Sequence, residues 1–84
     1  MLTITKTIKF DNRDIIINAD KIVAIFINKD ENKITFCFER DSNISIKCKS
    51  YESAKEVVNK IEEFLHNENS NDNQIEYGIS FGDI

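Results

Sequence analysis

Apolar positions change period once along the chain. From Leu2 to Cys48 they mostly alternate, and from Ser50 to His66 they recur every three or four residues. Tyr51, Ala54, Val58, Ile61 and Leu65 form a stripe that Val57 and Phe64 widen, which predicts one helix with one apolar face. Ser50 is its expected N-cap, the Ser53–Glu56 capping-box spacing offers a start one turn later, and Glu56 and Lys60 are spaced for an i, i+4 ion pair.

Ahead of the helix the alternation predicts five strands. In Leu2–Phe10, Leu2, Ile4, Ile8 and Phe10 share one parity, and Lys6 is the exception. The second strand is Ile15–Ile17, between the turns Asp11–Asp14 and Asn18–Lys21. Ile22–Ile27 is apolar on both parities: Ile22, Ala24 and Phe26 on one, Val23, Ile25 and Ile27 on the other. Lys33–Glu39 turns Ile34, Phe36 and Phe38 inward, and Asn43–Lys49 does the same with Ile44, Ile46 and Cys48. Short loops between consecutive strands favour antiparallel neighbours. The expected fold is therefore α+β: a five-stranded antiparallel meander under one long C-terminal helix, with a strand-like tail after it.

Residues 1–66 are expected to make the domain. Residues 67–74 carry no apolar side chain and read as a polar connector. In 75–84 alternation returns at Ile75, Tyr77, Ile79 and Phe81, so this segment is expected to dock on the chain's own sheet or on a partner's. One helix cannot cover both faces of Ile22–Ile27. The second face needs the tail or a second copy, and Val23, Ile25, Ile27, Ile75, Tyr77, Ile79 and Phe81 are the candidate partner-binding residues of a homodimer.

Eighty-four residues suffice for one small domain of marginal stability. No run nears the roughly 20 apolar residues of a membrane span and no signal peptide is visible, so a cytoplasmic protein is expected. The net charge of −4 is uneven: residues 1–51 carry nine basic and seven acidic side chains, and residues 52–84 carry two and eight. Two solvated faces of a soluble domain account for this asymmetry, and the sharper reading is that the acidic helix and tail meet a basic protein partner.

The residues give little support to catalysis. Cys37 and Cys48 fall on opposite parities of neighbouring strands, which excludes a disulfide between them, and neither has zinc spacing. His66, the one histidine, sits at the helix C-terminus, where the dipole favours positive charge. The loop Asn28–Asn32 lacks the glycine and ligand periodicity of a calcium site, and both glycines lie in the tail, so there is no phosphate loop. No enzyme, metal or cofactor is expected.

Two binding functions remain. The preferred one is protein–protein interaction, of the kind made by small phage- or mobile-element-encoded inhibitors or regulators of host systems. The other is single-stranded nucleic-acid binding on a polar sheet face bearing Lys9, Lys33, Lys47 and Lys49 among threonines and serines. Against it stand the acidic sequence pI of about 4.9 and the core parity of Phe10, Phe36 and Phe38. A meander followed by a covering helix is similar in element order to pleckstrin-homology-like domains and to the single-strand-binding coactivator and Whirly folds. That likeness is one of order alone and carries no function.

Overall fold

The computed structural model describes residues 6–66 and 78–84. It is an α+β fold of six strands in two sheets and one helix. The strands are β1 (Thr7–Phe10), β2 (Ile15–Asn18), β3 (Ile22–Asn28), β4 (Lys33–Phe38), β5 (Asn43–Lys47) and β6 (Gly78–Phe81). Helix α1 (Tyr51–His66) lies between β5 and β6.

This corrects the expected five-stranded meander. One sheet has the order β2-β1-β6 and the other β3-β4-β5. The break falls at Ala19–Lys21, which forms a 3-10 turn and not a hairpin. Ala19 is buried and its N–H donates to the Lys6 carbonyl at 2.9 Å. Asn18 caps the turn by accepting from the Asp20 N–H at 3.0 Å. The chain thus leaves β2 at a corner, and β3 begins a separate sheet.

The helix is mid-chain and not C-terminal, and one strand pair departs from antiparallel order. β6 runs parallel to β1, with Thr7 opposite Gly78 and Phe10 opposite Phe81. The sites where the helix is anchored explain the direction. Its C-terminal end lies over Lys6, whose Nζ donates to the Phe64 carbonyl at 3.1 Å and sits 5.2 Å from the Phe64 ring. A cation there satisfies a free helix carbonyl and suits the dipole. Lys6, the one polar residue on the inward parity of its strand, is thus a helix anchor. At the other end, the Ile84 carbonyl accepts from the Lys49 N–H at 2.6 Å and from Ser53 Oγ at 2.8 Å. β6 therefore leads from one end of α1 towards the other. Gly78 opens it where an added Cβ would stand 3.3 Å from Thr7 Oγ1.

Ser50 caps α1 as expected, its Oγ accepting from the Ser53 N–H at 3.0 Å. Ala54, Val57, Ile61 and Phe64 are buried. They complete one core with Ile8, Phe10, Ile17 and Phe81 of the first sheet and Ile34, Phe36 and Ile46 of the second. Phe10 joins the two sheets: its ring centroid lies 5.9 Å from Phe36 and 5.4 Å from Phe81.

Candidate interaction surface

Strand β3 is the irregular element, as its two-faced sequence suggested, but its faces are not the expected ones. Ile22 pairs with Phe38 and Ala24 with Cys37, so Val23 is an extra residue in a β-bulge. Past the bulge the parity is exchanged. Ile22, Ile25 and Ile27 all pack against the core, whereas Val23 and Phe26 are 63% and 58% exposed. Of the expected partner-binding residues, Val23 is at the surface, while Ile25 and Ile27 are half-buried against the core. Ile79 is half-buried there too, and Phe81 is buried against Phe10. Ile75 and Tyr77 lie outside the described residues, as does the connector 67–74.

Two exposed apolar side chains were missed, Ile16 of β2, which is 65% exposed, and Phe26 of β3. The bulge that turns Phe26 outward has no signature in IVAIFIN, because every candidate for the extra position is apolar. Phe26 stands opposite Thr35, which stands opposite Ser45, and the two hydroxyls are 3.0 Å apart. The adjoining row is Asn28, Lys33 and Lys47.

β3 pairs with β4 on one side, and among the described residues no strand occupies its other edge. Alternate backbone N–H and C=O groups on that edge point away from the sheet. All seven residues of β3 are uncharged and none is proline. Native edges are normally protected by charge, proline or shortness. Among the described residues the one protecting device is the bulge, and it leaves Ala24–Asn28 regular. Beside the edge runs a groove of about 300 Å³, walled by Ile22–Ile25 and by Val58 and Leu65 of α1, with Glu62 and His66 at its rim. A second groove, of about 360 Å³, opens where the sheets part, between Ile16, Ile17 and Lys21 on one side and Phe38 and Ile44 on the other.

The four lysines do not form one patch. Lys9 sits on the first sheet with its Nζ 3.6 Å from Asp11. Lys33 is 2.8 Å from Glu31 and Lys49 is 2.7 Å from Asp83. The Lys33 ammonium holds the Glu31 carboxyl below its ordinary range. Lys47 is exposed, and its backbone carbonyl accepts from the Arg13 guanidinium. Both cysteines are free thiols; Cys37 is half-buried on the outer face and Cys48 is buried. Burial raises the Cys48 thiol pKa, against a smaller opposing effect of Arg13. His66 is exposed at the groove rim. Among the described residues no three histidine, cysteine or acidic side chains are grouped to hold a metal, and no helix is long and apolar enough to cross a membrane.

Fold and surface together define a small α+β domain with an uncharged edge strand that has no neighbour on one side among the described residues. No family model, curated protein or solved structure matches the chain.

Proposed function

We propose that this protein acts by binding, without catalysis, and that its partner is a polypeptide segment that adds as a strand along β3. The observation that carries this reading is the edge itself: seven uncharged residues, unpaired on one side among the described residues, with Val23 and Phe26 exposed. An added strand gains main-chain hydrogen bonds from such an edge, and its alternate side chains gain pockets. The groove against Val58 and Leu65 supplies the apolar pocket. An inhibitor or regulator of another protein needs no more than this.

Affinity capture from the native cell tests the reading, comparing the wild type with a Val23→Lys, Phe26→Lys variant whose circular dichroism is unchanged. A protein retained by the first and lost from the second supports it. Identical retained proteins refute it.

One observation favours the nucleic-acid reading: Phe26 is an exposed ring on the same sheet face as Lys33 and Lys47. The carboxylate partners of Lys9, Lys33 and Lys49 and the net charge of −4 weigh against it. Fluorescence anisotropy with labelled single-stranded DNA and RNA at two salt concentrations separates the two. Salt-sensitive binding lost on Lys33→Glu with Lys47→Glu would favour nucleic acid. Strand capture at β3 does not depend on those lysines.

A further inference from the structure

We infer that the strand received by β3 is β3 of a second copy, paired antiparallel about a two-fold axis at Phe26. The inference rests on the strand-addition reading and specifies its partner. Residues opposed across an antiparallel pair share a face. An axis at Phe26 sets Phe26 opposite Phe26 of the second copy, Ala24 opposite Asn28, and Ile25 opposite Ile27. This register uses only the regular stretch Ala24–Asn28, past the bulge. It stacks the exposed rings on each other and continues the apolar inner face with isoleucines.

Charge is compatible with this antiparallel pairing: β3 itself carries none, and Lys21 precedes it while Asp30 and Glu31 follow it, so the Lys21 end of each copy lies beside the acidic-tip end of the other. That tip is held in place by Asn28 Oδ1, which accepts from the Asp30 N–H at 3.0 Å and the Glu31 N–H at 3.1 Å. Lys29, the other lysine of the segment, is drawn to the Tyr51 ring, 5.3 Å from its centroid. Pairing two such edges would produce one six-stranded sheet of order β5-β4-β3-β3-β4-β5.

A contact of this length falls near or below the roughly 1,200 Å² at which stable interfaces begin, so association is concentration-dependent. Sedimentation velocity from about 1 µM to about 1 mM spans the range of such affinities. The wild-type mass is expected to double across it, and the Phe26→Lys variant, its circular dichroism unchanged, to stay monomeric. Register is read by disulfide trapping with copper–phenanthroline in a Cys37→Ser background. Phe26→Cys is expected to form a covalent dimer by itself. Ala24→Cys and Asn28→Cys are expected to do so when mixed and not separately. A wild type that stays monomeric, or trapping that is equal at all three positions, overturns the inference. If the monomer still retains another protein in a Phe26-dependent manner, strand addition stands and only the second copy is refuted. If it retains none, both fall.

Discussion

Replacing Phe10 by alanine is the sharpest test of the architecture, because one side chain touches both sheets. Its ring is fully buried, tilted at 54° to Phe36 and stacked at 19° on Phe81. Truncating a buried phenylalanine costs about 3–5 kcal/mol. An 84-residue domain has a total stability of about 4–13 kcal/mol, and small cores sit towards the lower end. The substitution is therefore expected to bring the protein close to unfolding. With a urea m-value of about 1 kcal/mol/M, the midpoint should fall by about 3 M or more, or no folded baseline should remain. Phe10→Leu keeps most of the volume and loses both ring contacts, each worth about 0.5–1.5 kcal/mol, so an intermediate loss is expected. Phe26→Ala is the internal control. The same residue type, 58% exposed on β3, should change stability by less than about 0.5 kcal/mol. Urea titrations followed by circular dichroism measure all three at low concentration, where self-association does not contribute. A loss below about 1 kcal/mol for Phe10→Ala, or an equal loss for Phe26→Ala, would refute the placement of these two rings.

Three further outcomes follow from the structure. Ile61→Asp places a charge at a fully buried helix position and is expected to abolish cooperative unfolding, whereas Lys60→Ala, one residue away and exposed, should shift the urea midpoint scarcely at all. Thiol labelling with a chromogenic disulfide at mildly alkaline pH should modify Cys37 in the folded protein and reach Cys48 only on unfolding, since Cys48 is 4% exposed and its burial raises the thiol pKa; equal rates would contradict its burial. Glu31 should titrate below the ordinary glutamate value in carbon-detected NMR, and Lys33→Ala should raise it, since Lys33 is the largest cause of the depression. Because its folded pKa is depressed, whatever stability it contributes is present above the unfolded value and is lost as pH falls through the folded one.

The uneven charge of the chain takes on a different meaning in three dimensions. Four of the nine lysines have a carboxylate beside them, Lys9 with Asp11, Lys33 with Glu31, Lys49 with Asp83 and Lys55 with Glu52 at 3.4 Å. The polar sheet face is therefore less basic than its lysine count suggests, and the uncharged β3 edge is the more distinctive surface.

Local physics was legible in the residues. The three-and-four spacing of Tyr51–His66 determined the helix, because it depends only on neighbours along the chain, and the cap bond to Ser50 chose between the starts offered at Ser50 and Ser53. Alternation placed β4 and β5 and the inward facing of Ile34, Phe36 and Ile46 for the same reason. Which strands pair was not legible. Hairpin, corner and crossover all begin with a short polar loop, and only the burial of Ala19 and its bond to Lys6 make the corner after β2. Lys6 read as a fault in its strand until the helix end it anchors was in place. The facing of β3 depended on one extra residue among six consecutive apolar ones, where hydrophobicity cannot mark the bulge and only the ladder with β4 decides it. Phe26 reached the surface, and Ile25 and Ile27 the core, for that reason.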